Sequence, residues 1–307
     1  MTQGDISTDV DRAVSILRDG GVVAIPTETV YGLAACASNE NAVAKIYETK
    51  GRPRSHPLIV HVDTLERAER WGIFNESSQT LANHFWPGPL TIVVQRQSFV
   101  PDWITGGHDT VAIRIPDHVV TLEVIEKLDE AIVAPSANRF GKVSPTRPEH
   151  VAHDLGTDVD LILDGGQCGI GIESTIVECN REIQILRPGA IDAIQISEVL
   201  QHSVSDVSGP SRAPGMMKSH YAPRAQVVLC DSYSDLLEKE SDFVARQLTT
   251  YVINESRSSD LARNLYQRLR DADSLKCDVI LVVRAPNEGI GVAINDRLEK
   301  AAADSSL

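Results

Sequence analysis

Short aliphatic runs alternate with amphipathic helical stretches along nearly the whole chain, and the alternation stops once, between Ser203 and Pro223. That pattern restricts the fold more than any other feature. Short apolar runs bounded by turn residues read as buried strands, and apolar residues three and four apart read as helices packed on one side. Before the break, residues 22–25, 58–62, 91–95, 111–115, 132–134, 161–163, 175–178 and 183–186 read as strands. A helix starting near Ser7 or Thr8 places Val10, Ala13, Val14 and Leu17 on one face, and Gly20 and Gly21 stop it. Further helical spacing covers 41–50, 65–71, 79–85, 119–128 and 148–155, while 26–32 reads as a polar turn-like segment. Strands and helices mixed in this way predict an α/β domain with a mixed sheet. After the break, strands at 227–229, 248–253 and 279–283 alternate with helices at 233–239, 261–272 and 292–302. This second stretch predicts a small Rossmann-like parallel α/β domain. The expected organisation is a first domain over 1–202, a linker over 203–224 and a second domain over 225–307.

The charge balance narrows the function classes. Asp and Glu total 43 against 29 Lys and Arg, a net charge of -14. Such a surface repels phosphate backbones, so any anion site must be a local basic cluster. Five cysteines, an odd number with no pair at metal-ligand spacing, fit neither a disulfide framework nor a zinc site, and no metal ligands are assigned. No apolar leader segment is read in residues 1–20, and the longest aliphatic runs are too short to cross a bilayer. The expectation is a cytoplasmic protein without a membrane partner.

No Walker A, GxGxxG or nucleophile-elbow pattern occurs. Basic and hydroxyl residues instead gather beside strand ends and sharp turns. Lys50, Arg52 and Arg54 fall within five residues, interrupted by Gly51 and Pro53. They fit a solvated helix terminus or a rigid phosphate clamp. Ala134-Pro135-Ser136-Ala137-Asn138 follows an apolar strand directly, with Gly141-Lys142-Val143-Ser144 after it. This is either an ordinary turn or a ligand cradle. Residues 169–175 enter a strand, and Arg187 ends one, where α/β proteins place ligands. His61 closes the apolar run 58–60, and Arg114 lies within the apolar run 111–115. If buried, Arg114 needs a partner; a carboxylate-bearing substrate is one, and an edge strand facing water is the alternative. His150 and His153, three apart, read as a solvated helix face.

Taken in order, these residues resemble a known family. Residues 25–33, 50–53, 57–61, 86–91, 134–138, 173–175 and 186–189 match the motifs of the YrdC-like threonylcarbamoyl-adenylate synthases, and residues 213–223 and 289–301 resemble the linker and tail of the longer, two-domain form. The resemblance implies a twisted open mixed sheet around a large, positively lined cavity. It implies that Thr29, His61, Arg114, Ala134 and Ser174 hold L-threonine. Arg52, Thr110, Ser136, Ser144 and Arg187 would hold ATP. Lys50 would lie beside the phosphates with Arg52, both in catalytic roles, and Tyr221 would close over the nucleotide. His56 stands where the family usually has Asn, next to the phosphates, with a charge expected to vary near neutral pH.

The implied reaction is a nucleotidyl transfer. Bicarbonate or carbon dioxide converts the threonine amine to a carbamate, which attacks the α-phosphorus of ATP and expels pyrophosphate. Mg²⁺ enters with the ATP. The product, threonylcarbamoyl-AMP, feeds tRNA threonylcarbamoyl transferase proteins. Two other readings compete. One is an RNA-binding YrdC-like module without catalysis, with tRNA or double-stranded RNA as ligand, which the net charge of -14 disfavours. The other is a carbamoyl-adenylate enzyme of hydrogenase maturation, which the absence of any CxxC pair disfavours.

Overall fold

The computed structural model describes residues 4–180, 182–206 and 221–303. Fifteen strands occur among them. Those of the first part are β1 (Ile6–Ser7), β2 (Val23–Ile25), β3 (Gly32–Cys36), β4 (Ile59–His61), β5 (Gly72–Ile73), β6 (Leu90–Arg96), β7 (Thr110–Arg114), β8 (Ile132–Val133), β9 (Leu161–Leu163), β10 (Thr175–Glu178), β11 (Gln184–Arg187) and β12 (Ser205–Asp206). They form one mixed sheet in the order β1-β9-β2-β3-β8-β4-β7-β6-β10-β11-β12, with β5 beside β6. The second part holds β13 (Gln226–Cys230), β14 (Thr250–Ile253) and β15 (Val279–Val283), a parallel sheet in the order β13-β15-β14.

Local sequence explains most helix starts. Asp9, Asn39, Thr64 and Asn75 each accept a hydrogen bond from a backbone N–H two residues into the helix that follows. The aliphatic faces then close on the sheet, with Ala13, Val14 and Leu17 packed against Val23, Ile25 and Leu161. A second apolar cluster crosses between the two parts. Val30, Val143 and Ile172 pack with Tyr221, Ala262, Leu265 and Tyr266. The two sheets therefore share a continuous buried seam.

The structure departs from the sequence reading where secondary structure is imposed by neighbours. Gly32–Cys36 is a fully buried strand, although Gly and Ala are weak strand formers. It is held by antiparallel pairing with β2 and β8. Helix Ala193–Leu200, missed in the sequence, starts at a capping box between Asp192 and Gln195. Within the expected linker, Ser205–Asp206 pairs with β11, and residues 207–220 lie outside the described residues. His150 is not on a solvated face. It is 8% exposed, its Nδ1 accepts from Thr146 N at 3.2 Å, and its Nε2 donates to Gln267 Oε1 at 2.7 Å across the seam. Only His153 is exposed as expected.

Candidate active site

Four strand ends and two loops converge on one cavity. Parallel pairing of β4 with β7 sets His61 opposite Arg114. Thr29 hangs from the turn before β3, Arg187 ends β11, and Ser174 immediately precedes β10. The loop after β8 carries Ala134 and Ser136, and Ser136 bridges to Gly32. Gly32 lets the two segments approach closely, because a Cβ would lie 3.0 Å from the Ala134 side chain and crowd it. Gly189 has the same role across the cavity, where a Cβ would lie 2.2 Å from Thr175 N. The walls include Thr29, Arg52, His61, Arg114, Ala134, Ser136, Ser174, Arg187 and Tyr221, together with Glu173. Tyr221 forms part of the wall, and the cavity measures about 50 Å³. A larger concavity of about 590 Å³ beside Trp71, Phe99 and Trp103 lacks this cluster of buried cations and hydroxyls.

The basic run after helix Glu40–Lys50 is divided by its geometry. Gly51 caps the helix in the left-handed conformation, φ 64°. Arg52 turns inward and is 8% exposed, while Arg54 faces solvent. The Arg52 guanidinium donates to Pro57 O at 3.0 Å and lies 5.8 Å from the Phe140 ring. Its Nε is buried without a hydrogen-bond partner. Burial lowers its pKa to about 10, so it stays charged at neutral pH.

Arg114 is 4% exposed. Its Nε donates to Gly88 O at 3.1 Å, and its Nη1 donates to Thr29 Oγ1 at 3.0 Å. Nη2 lies 2.6 Å from Glu28 Oε1. Thr27 Oγ1 donates to Val30 O, so the Thr29 hydroxyl donates to Thr27. His61 is neutral. Burial and then Arg114 lower its pKa to about 3. Its Nδ1 donates to Ile59 O at 3.1 Å, which leaves Nε2 as an acceptor. Arg187 donates from Nε to Ser174 O and from Nη2 to Ser174 Oγ, both at 3.1 Å.

Four expected site residues stand elsewhere. Lys50 lies behind the wall, where Nζ donates to the carbonyls of Ser136 and Asn138 and holds that loop in place. Ser144 is fully buried and donates to Glu173 Oε1 at 2.6 Å. Thr110 begins β7, paired with Gln95, at the opposite end from Arg114. His56 packs edge-on against Phe140. Burial and then Arg52 lower its pKa, which favours the neutral imidazole. Two residues without an expected role emerge, Glu28 as the ion partner of Arg114 and Glu173 as the acceptor for Ser144, Tyr266 and Arg297. The sequence signal for both was their place inside the matching motifs, residues 25–33 and 173–175.

Fold and site together define an open-sheet α/β protein with an arginine-lined cavity suited to anions. The family model described as "Telomere recombination" matches residues 15–189, and the one described as "Threonylcarbamoyl-AMP synthase, C-terminal domain" matches 191–303. The threonylcarbamoyl-AMP synthase of Bacillus subtilis is 41% identical over 95% of this chain and 92% of its own length. That of Pyrococcus abyssi is 39% identical over 94% and 92%. The solved structure of P. abyssi Sua5 complexed with L-threonine superposes with a TM-score of 0.91 at 37% identity, covering 98% of this chain and 97% of that one. The chain belongs to the threonylcarbamoyl-AMP synthase family, in its two-domain form.

Proposed function

We propose that this chain condenses L-threonine, bicarbonate and ATP into threonylcarbamoyl-AMP and pyrophosphate, in this cavity. One observation carries the assignment: Arg52, Arg114, Ser136 and Arg187, far apart in sequence, line one enclosed space in a chain of net charge -14. Arg52, Ser136 and Arg187 face the nucleotide, and the partnerless Nε of Arg52 is a donor for a phosphate oxygen. Arg114, Thr29, His61, Ala134 and Ser174 face the amino acid. The bare Nε2 of neutral His61 accepts from threonine's amine or hydroxyl, and Arg114 attracts its carboxylate.

The carbamate oxygen forms a bond to the α-phosphorus, the bond from that phosphorus to the bridging oxygen breaks, and pyrophosphate takes the electron pair. No covalent intermediate on the protein is needed, so positioning and charge neutralisation supply the rate. Among the described residues no group of three or more His, Cys, Asp or Glu is placed to hold a metal. In this reading Mg²⁺ would enter with the ATP and offset charge on its phosphates. Lys50 acts by holding Ser136, and Ser144 acts through Glu173. Tyr221 must withdraw for both substrates to enter, which makes it a closing element. Among the described residues no helix is long and apolar enough to cross a membrane. The product is consumed by a transferase that passes the threonylcarbamoyl group to tRNA.

Mass spectrometry after incubation with ATP, Mg²⁺, threonine and ¹³C-bicarbonate tests the reading. Labelled threonylcarbamoyl-AMP is expected. Pyrophosphate release that does not depend on threonine would refute it.

A further inference from the structure

The second α/β domain reaches the cavity through one carboxylate. Glu173 is 6% exposed. Its Oε1 accepts from Ser144 at 2.6 Å, and its Oε2 accepts from Tyr266 Oη at 2.8 Å and Arg297 Nε at 2.9 Å. Tyr266 belongs to helix Ser258–Ser274 and Arg297 to helix Ile290–Ala302, both in the second domain. Arg297 is the largest fully buried side chain of the described residues. Its Nη2 also donates to Pro188 O at 2.9 Å. One guanidinium therefore clamps the residue before Ser174 to the residue after Arg187. It further lies 5.4 Å from the Tyr221 ring, which stacks on Tyr266 at 5.6 Å.

We infer that Arg297 is a positioning residue for the adenylating cavity: through Glu173 and Pro188 it fixes Ser144, Ser174 and Arg187, so the second domain completes the nucleotide wall of the first. The inference rests on the reading above that this cavity takes ATP. An alternative role in general packing would not explain the polarity of the contact. A buried guanidinium offers a fork with fixed directions; here Nε and Nη2 end on residues adjoining the cavity wall, while Nη1 pairs with Asp296 of its own helix. Around Glu173 the charged and titratable groups are Arg297 and Tyr266 from the second domain, Arg187 from β11, and Tyr221. Burial alone would raise the Glu173 carboxyl, but Arg297 and Arg187 outweigh it and hold the pKa at about 2. In wild type this group is ionised throughout the working pH range.

The test uses the full chain with R297M, R297M/E173Q and Y266F. R297M should raise the KM for ATP at least ~10-fold, within the range expected when supporting contacts shift a site by about an ångström. Without Arg297 the burial of Glu173 is opposed by Arg187 and the Ser144 hydrogen bond, so its pKa rises and R297M should acquire a titration in kcat/KM that wild type lacks. E173Q added to R297M should abolish that titration. A folded R297M with wild-type KM for ATP, or a loss of equal size at every pH, would overturn the inference. If R297M does not fold, the neutral pair R297M/E173Q and the single-hydroxyl deletion Y266F carry the test, and wild-type KM for ATP in both would overturn it. The same variants are titrated with ATP alone by calorimetry. A wild type that binds ATP but forms no threonylcarbamoyl-AMP then counts against the function, and unchanged ATP affinity in the variants counts against the clamp.

Discussion

Replacing Arg52 with alanine should cost activity without costing stability. In the free protein its guanidinium makes one hydrogen bond, to Pro57 O, and packs over Phe140, while its Nε has no hydrogen-bond partner. Burial lowers its pKa from 12.5 to about 10. A base whose folded-state pKa is depressed weakens the fold at every pH below that value, by on the order of 3 kcal/mol here. Alanine removes this penalty together with the Pro57 bond and the Phe140 contact, whose combined worth is also a few kcal/mol. The terms oppose and are of similar size. In a domain of this size 1 kcal/mol moves Tm by about 2–4 °C, so the Tm should stay within a few degrees of wild type. Activity follows a different balance. A hydrogen bond to a charged phosphate contributes about 1.5–3 kcal/mol, which corresponds to roughly 10- to 160-fold in kcat/KM for ATP. Pyrophosphate release, measured against ATP concentration with threonine and bicarbonate saturating, reads the loss, and scanning calorimetry reads the Tm. A folded R52A with wild-type kcat/KM would refute the phosphate-clamp argument.

Three further outcomes follow from other contacts. Arg114→Ala leaves Glu28 without its ion partner in a mostly buried site, so it should destabilise by about 3–5 kcal/mol and raise the KM for threonine more than that for ATP. Equal effects on both substrates in separate titrations would remove the carboxylate role. Tyr221→Ala should speed nucleotide release in stopped-flow displacement, and an unchanged release rate would leave Tyr221 as packing only. His150, whose folded pKa burial and then Arg270 lower to about 4, contributes stability that is fully present above its unfolded value near 6.5 and is lost as pH falls towards 4. H150Q should flatten the decline of Tm across that window, and an identical decline in the variant would remove His150 from the account.

The strands and helices with strong aliphatic periodicity were legible in the sequence. The read helices 65–71 and 119–128 match Leu65–Trp71 and Val119–Leu128, and the read strand 279–283 matches Val279–Val283. Gly32–Cys36 was not legible, because its residues become a strand only by pairing on both sides. The site was partly legible. Arg52 after a helix end, Arg114 within an apolar strand, Ser136 after a strand and Arg187 at the end of one were read as candidates, and they do share one cavity. What the sequence does not carry is direction. It could not separate Arg52, which faces the cavity, from Lys50, spent on two carbonyls, or from solvent-exposed Arg54. Nor could it show that Glu173 binds side chains more than ninety positions away, such as Tyr266 and Arg297. That pairing depends on how two separately patterned domains dock, and no local spacing encodes it.

The most direct measurement is a crystal structure of the chain soaked with L-threonine and a non-hydrolysable ATP analogue. The account predicts the phosphates against Arg52 and Arg187, the amino acid between His61 and Arg114, and the threonine nitrogen facing the α-phosphate. Either ligand bound outside the space these four side chains enclose would contradict it.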